Sequence, residues 1–260
     1  MKTTAKIAMT LLAITAGAAT GLFSQSAPAA KEKAAAKAPA AGPTLKIGDA
    51  APEFKVTQWY KGGPVTLDAD KTYIVECWAT WCGPCIAAFP HLSELAKANE
   101  GKITVIGANV WEKKSPEEVK TFVEGQGDKM AYNVAADGDK VIEEKWLKAA
   151  GQNGIPCAFV VSKGKIAFIG HPVTLKQELL TSILDGTCDI AALAKAKEKE
   201  EAPANYFTTH VAPLMQKKDI AGAITQLEAM KKEFPDQEKI INGHIERLKG
   251  QLPKDAPEAK

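Results

Sequence analysis

The chain has 260 residues, with 33 Lys and Arg against 31 Asp and Glu, a formal net charge of +2 and 45% hydrophobic residues. That is enough for one core-bearing domain of ordinary size with extensions at its ends. The cations are interleaved with the anions rather than gathered in a stripe, which excludes the electrostatic footprint of a nucleic-acid binder.

The first segment reads as an address. Lys2 and Lys6 flank a short basic start, an uncharged and largely apolar run extends from Ile7 to Phe23, and small residues follow from Ser24 to Ala30. This is the pattern of a secretory signal over residues 1–26, with cleavage expected after Ser26 or, as second choice, Ala29. The rival reading is an uncleaved N-terminal anchor, the only case in which the protein would meet a membrane, although Thr, Ala and Gly make the run a weak span. Either way the protein is expected to be exported, to the periplasm or another extracytoplasmic space. Residues 27–43, built from Ala, Pro and Lys, read as a flexible linker.

The main domain is expected over residues 44–190. Val65-Thr66-Leu67 and Thr72 to Trp78 read as strands, and Pro84 to Ala98 as a helix with Ile86, Phe89, Leu92 and Leu95 on one face, despite Pro90 inside it. Ile103 to Val110, rich in β-branched residues, is the next strand. Ser115-Pro116-Glu117-Glu118 is a helix start in which Ser115 caps, Pro116 takes the first helical position and Glu118 closes a capping box; that helix runs to about Glu124. A short extended piece near Tyr132 to Ala135 leads to a helix from Lys140 to Ala149. Strands Ala158 to Val161 and Ile166 to Ile169 are joined by the turn signal Lys163-Gly164. A helix from Thr174 to Leu184 closes the domain. The fold class is α/β, a central mixed sheet flanked by helices.

The stretch that carries chemistry is Trp81-Cys82-Gly83-Pro84-Cys85. Two thiols two residues apart can close and open a disulfide without moving the backbone. The preceding strand and following helix place Cys82 at a strand-to-helix turn, where unpaired N–H groups and the helix dipole favour a thiolate. The turn lies at the C-terminal end of a strand, where open α/β sheets place their sites.

The run Glu76-Cys77-Trp78-Ala79-Thr80-Trp81-Cys82-Gly83-Pro84-Cys85 resembles the thioredoxin superfamily, and within it the TlpA-like, redoxin-type branch of exported thiol-disulfide oxidoreductases. Pro90 after the second cysteine, Gly154-Ile155-Pro156 before a strand, and the lead-in from Ile47 to Phe54 extend the resemblance over about Lys46 to Leu184. A Cys-x-x-Cys alone would also suit half a zinc site. The resemblance implies a thioredoxin-like fold, a cis Ile155-Pro156 bond facing the cysteines, and an inserted element around Ser115 to Ala135. It also implies a redox-active Cys82–Cys85 disulfide: Cys82, exposed at the helix start, attacks a substrate disulfide and Cys85, one turn inside, resolves the mixed disulfide. Trp81, Gly83, Pro84, Ile155 and Pro156 are then the expected substrate-binding residues. Gly83-Pro84 between the thiols implies a reducing couple, hence a protein-disulfide reductase. Its partners would be protein substrates with disulfides and a membrane or soluble thiol electron donor, with cytochrome c maturation among its settings. No cofactor is implied.

Glu76 lies six residues before Cys82, within an apolar strand, at the position where the family keeps a buried carboxylate. Burial would raise its pKa and let it exchange a proton with Cys85; the alternative is a carboxylate reaching solvent at a strand end. Cys77 and Cys157 fall in expected core strands, where cysteines act as small hydrophobes, although Cys157 directly follows Pro156. Cys188 has no assigned partner. A thiol peroxidase would want Thr three residues before its cysteine, whereas Thr80 is two before Cys82. His91, His171, His210 and His244 show no ligand spacing, so no metal centre is expected.

Residues 191–204, dominated by Ala, Lys and Glu, read as a second linker. Residues 205–260 read as a small helical extension in which Asp219 to Asp236 looks like half of a tetratricopeptide repeat, a hairpin that cannot bury its own apolar face. It would pack on the redox domain or dock a partner. In the latter case the protein would be a redox-regulated binding module rather than an enzyme.

Overall fold

The strand Thr72–Trp78 is buried at all seven positions, which places it at the centre of a sheet covered on both faces. The computed structural model describes residues 43–251. The expected signal segment and all but the last residue of the first linker lie outside the described residues. Six strands form one mixed sheet in the order β1-β4-β3-β2-β5-β6: β1 (Gln58–Lys61), β2 (Thr72–Trp78), β3 (Ile103–Asn109), β4 (Asn133–Ala136), β5 (Cys157–Ser162) and β6 (Lys165–Gly170). β2 pairs parallel with β3 and antiparallel with β5.

Side chains alternate between the two faces of β2. Ile74 and Trp78 join one core cluster with Phe89, Leu92, Val119, Tyr132, Leu180 and Ile183. Tyr73, Val75 and Cys77 join the other, with Ile106, Ile142, Trp146, Cys157 and Phe159. The first face is covered by α1 (Gly83–Ala98), α2 (Pro116–Gln126) and α3 (Gln177–Leu184). The second is covered by a π-helical turn, Glu143–Lys148, and by the start of α4 (Ile190–Tyr206), whose Leu193 and Ala194 pack against it. This is the helix-flanked mixed sheet that the residue pattern implied.

Local signals set most boundaries. Ser115 N–H donates to Glu118 Oε2 at 2.9 Å and Glu118 N–H donates to Ser115 Oγ at 3.3 Å, so the capping box of α2 forms as expected. Lys163 and Gly164 both take positive φ, 51° and 70°, matching the twist of the β5–β6 hairpin. The surplus around Ser115 to Ala135 becomes α2, a 3₁₀ turn at Gly127–Met130, and the start of β4, inserted between β1 and β3.

Three expectations are corrected. No strand forms at Val65-Thr66-Leu67; the strand lies earlier, at β1, paired with β4. Residues 65–67 are tied instead to Tyr73, whose hydroxyl donates to Thr66 O at 3.0 Å, while Val65 and Leu67 pack on the second cluster. The helix expected from Lys140 begins after it, because Lys140 is left-handed (φ 59°) and Asp137 caps the turn by accepting from Ile142 and Glu143 N–H. The helix expected from Thr174 begins at Gln177, after a 3₁₀ turn at Pro172–Thr174.

The stretch read as the second linker is helical throughout, as part of α4. It continues through a π turn, Phe207–Val211, into α5 (Ala212–Gln216), followed by α6 (Ile220–Glu233) and α7 (Glu238–Lys249). The α6–α7 hairpin does find cover: Val211 joins Ala223, Leu227, Met230, Ile241, Ile245 and Leu248 in a third cluster, with Tyr206, Phe207 and Phe234 packed on it. A third helical segment supplies the surface that a lone hairpin lacks. Among the described residues, no helix is long and apolar enough to cross a membrane.

Candidate active site

β2 ends at Trp78, and the chain turns through Ala79-Thr80-Trp81 into α1. Cys82 is the N-cap residue in an extended conformation (φ −89°, ψ 93°), and Pro84 stands in the first helical turn, where its missing N–H has no intrahelical partner to lose. Cys82 and Cys85 form a disulfide, with Cα atoms 5.3 Å apart. Cys85 N–H also points at Cys82 Sγ, at 3.2 Å. That is the first-turn N–H donation expected to stabilise a thiolate once the disulfide is reduced.

Cys82 was expected to be exposed. It is only 4% exposed and Cys85 is fully buried, while Gly83 and Pro84 are open to solvent and Trp81 is 51% exposed. The approach to the sulfurs is therefore flanked by Trp81 and by the Gly83-Pro84 backbone. Ile155 is half-buried and packs on the cluster that contains Cys82 and Cys85. The Ile155–Pro156 peptide is cis, as is Gly63–Pro64.

Glu76 lies between Ile74 and Trp78 on the face of β2 that looks toward α1, opposite Gly107 of β3 and Ala158 of β5. It is fully buried, and neither carboxyl oxygen has a hydrogen-bond partner among the described residues. Burial pushes its pKa well above the ordinary carboxylate range, toward the range in which it can exchange a proton with a thiol. The alternative of a carboxylate reaching solvent is excluded.

Cys77 and Cys157 are directly opposite one another across β2 and β5, but on the other face of the sheet, away from the disulfide. Both are free and buried; burial raises the Cys77 thiol well above its usual pKa and pushes Cys157 up to about 12. Alternation along β5 turns Cys157 away from the site although it adjoins Pro156. Cys188, half-exposed and free, lies beyond α3.

Several residues at the site escaped the sequence reading. Glu112 accepts from Thr80 N–H (2.9 Å), Thr80 Oγ1 (3.0 Å), Asn109 Nδ2 (2.9 Å) and Lys113 N–H (2.8 Å). Partial burial opposes its ionisation, but the donations from Asn109 and from the backbone of Thr80, Lys113 and Lys114 prevail and lower its pKa to about 2. Trp81 Nε1 donates to Trp111 O at 3.1 Å, and Lys113 Nζ lies 5.7 Å from the Trp81 ring centre. Trp111 itself holds φ at 51°, a strained conformation for a bulky residue of the kind that collects at functional sites. The signal was present in Trp111-Glu112 at the C-terminal end of a strand beside the cysteine strand, where sites gather.

Residues 47–169 match the AhpC/TSA family. Protein FixW of Rhizobium leguminosarum is 33% identical over 154 residues, covering 55% of this chain and 68% of the relative. The thiol:disulfide interchange protein HelX of Rhodobacter capsulatus is 32% identical over 161 residues, covering 58% and 84%. Thioredoxins match over shorter stretches: that of Alicyclobacillus acidocaldarius is 43% identical over 56 residues, 22% of this chain and 51% of the relative.

Proposed function

The chain belongs to the redoxin branch of the thioredoxin superfamily and is a thiol-disulfide oxidoreductase, and from that premise we propose that it works outside the cytoplasm as a reductase of protein disulfides. The observation that carries the reading is the Cys82–Cys85 disulfide at the N-terminus of α1, with a buried, unpaired carboxyl on the strand beneath it.

In this mechanism the reduced protein meets its substrate through Trp81, the Gly83-Pro84 turn and Ile155-Pro156. Cys82, favoured as a thiolate by the first-turn N–H of Cys85, attacks one sulfur of the substrate disulfide; the other leaves as a thiolate and takes up a proton. Cys85, buried one turn further in, then gives its proton to Glu76 and attacks Cys82 Sγ. The second substrate sulfur departs with its electron pair, and the Cys82–Cys85 disulfide closes. Two electrons have passed from the dithiol to the substrate. A thiol donor outside the cytoplasm must restore them, because the resting oxidised pair cannot act again as a reductant.

The roles of Cys82 and Cys85 are tested by incubating a Cys85→Ala form with extracted envelope proteins: mixed disulfides should accumulate through Cys82. Their absence would overturn the assignment. The direction is tested by equilibrating the pair with dithiothreitol, a reductase requiring a potential well below that of the oxidant DsbA, about −120 mV. Export is tested by fusing residues 1–43 to a reporter that is active only outside the cytoplasm.

A further inference from the structure

The buried side-chain polar atoms that lack a partner among the described residues number four, and they belong to only three residues: both oxygens of Glu76, Trp78 Nε1 and Tyr132 Oη. An unpartnered buried polar atom carries the full penalty of its lost hydration. Four such atoms scattered through a core would be four separate penalties, but these are gathered at one place, and Gly107 shows where.

Gly107 is the register partner of Glu76 in the β2–β3 ladder. A β-carbon built on Gly107 would stand 3.1 Å from Trp78 Nε1 and 3.1 Å from Tyr132 Cε2. Both rings thus close over the bare backbone beside Glu76. Trp78 is the next residue on the same face of β2, and Tyr132 enters from the residue just before β4. Neither ring is free to swing away: Trp78 is stacked on Phe122 (5.7 Å) and meets Phe89 edge-on (5.4 Å), and Tyr132 is buried in the same cluster. The indole N–H can only donate, and the phenol can donate or accept. Trp78 Nε1 and the edge of the Tyr132 ring therefore converge on the backbone position opposite Glu76.

We propose that Trp78 and Tyr132 are positioning residues for Glu76, holding its carboxyl through one shared water in the orientation that takes the proton of Cys85. The proposal rests on the reading of Glu76 as that proton acceptor. As Cys85 S–H loses its proton to the carboxylate, the two donors stabilise the anion that receives it. Once Glu76 is the neutral acid, its O–H needs an acceptor, and the Tyr132 oxygen supplies one. The Cys85 thiolate left behind then breaks the mixed disulfide as described above. Gly107 is part of the device, because any side chain there would occupy the space between the rings. Among the described residues no cation shifts Glu76: burial alone raises its pKa. The titratable groups near it are Tyr132 and the Cys82–Cys85 pair on its own face, and Cys77 and Cys157 across the sheet.

The test is the pH profile of single-turnover oxidation of the reduced protein by a small disulfide, read by tryptophan fluorescence, for the native chain, Tyr132→Phe, Gly107→Ala, Glu76→Gln and the double variant Glu76→Gln/Tyr132→Phe. Tyr132→Phe removes one hydroxyl from a ring held by its neighbours, so it should fold. It should move the midpoint of the Glu76-dependent limb upward by about one pH unit, a tenfold slower resolution at neutral pH. It should also shift the infrared carboxyl band assigned to Glu76 by its loss in Glu76→Gln. Gly107→Ala should act in the same direction. In the Glu76→Gln background Tyr132→Phe should change nothing further. A Tyr132→Phe profile and band identical to the native ones, with the limb still abolished by Glu76→Gln, overturns the proposal and spares the role of Glu76. A Glu76→Gln profile identical to the native one overturns both.

Discussion

Glu112 fastens the turn that leads into the disulfide to the neighbouring strand end: its two oxygens take the Thr80 N–H at 2.9 Å and the Thr80 hydroxyl at 3.0 Å. Thr80 is two residues from Cys82, so the position of that cysteine depends on a carboxylate that follows β3. With Trp81 bonded to Trp111 O, the two loops at the C-terminal ends of β2 and β3 are locked as one surface.

Glu112→Ala should therefore lower kcat/KM for a protein disulfide more than it lowers stability. Loss of charge-assisted hydrogen bonds to a half-buried carboxylate should reduce stability by about 1 kcal/mol, after allowing for solvent screening. The pH dependence has a definite sign. The folded-state pKa of about 2 lies below the usual value of 4.5, so the contribution of Glu112 is present above pH 4.5 and disappears as pH falls toward 2. Amide exchange at Thr80, measured from pH 7 down to pH 2, should accelerate relative to the β2 core in the native protein and be fast throughout in Glu112→Ala.

Glu76 works in the opposite sense. Its pKa is raised on folding, so the folded state holds a proton that the unfolded chain releases above pH 4.5. Each pH unit between that value and the folded pKa costs the native state about 1.4 kcal/mol. Glu76→Gln should then be more stable than the native chain at pH 7, with the advantage gone near pH 4, in thermal melts of the oxidised protein. A Glu76→Gln chain no more stable at pH 7 than at pH 4, relative to native, would contradict the burial of an uncompensated acid.

Thiol labelling separates the five cysteines. In the oxidised native protein at pH 8, iodoacetamide should modify Cys188 and leave Cys77 and Cys157 untouched; all three should react after unfolding. Cys157→Ala should leave turnover within twofold of native, because its side chain lies on the far face of the sheet. Rapid native labelling of Cys157 would show that β5 is not in this register.

Trp146 anchors that far face, meeting Phe159 and Phe54 edge-on and donating Nε1–H to Glu53 O at 2.9 Å. Trp146→Ala should cost about 3–5 kcal/mol through lost burial and the cavity left behind. A chemical denaturation midpoint near that of the native chain would show that the face collapses without penalty.

The elements with strong local signals were legible in the residues: β2 from its unbroken apolar run, α2 from Ser115 and Glu118, the β5–β6 turn from Lys163-Gly164. Val65-Thr66-Leu67 misled because two β-branched or apolar residues with a period of two describe any half-buried extended chain, whether or not a neighbouring strand supplies a ladder. The lone-hairpin reading of the C-terminal helices missed their cover because α4 looks like a solvated linker, rich in Lys and Glu, until its last residue and the π turn after it deliver Tyr206, Phe207 and Val211 to the cluster.

Sequence by itself determined the chemistry: two thiols at disulfide spacing ahead of a helix, an acid inside an apolar strand, and the family to which that run belongs. These are properties of neighbours along the chain, within reach of one turn or one strand. Tertiary structure alone decided which groups meet. The register of β2 against β3 and β5 put Gly107 beside Glu76 and Cys157 opposite Cys77, and the loop after β3 brought Glu112 to Thr80. A shift of one residue would turn every side chain of a strand to the other face, and no local signal records which register the packed core selects.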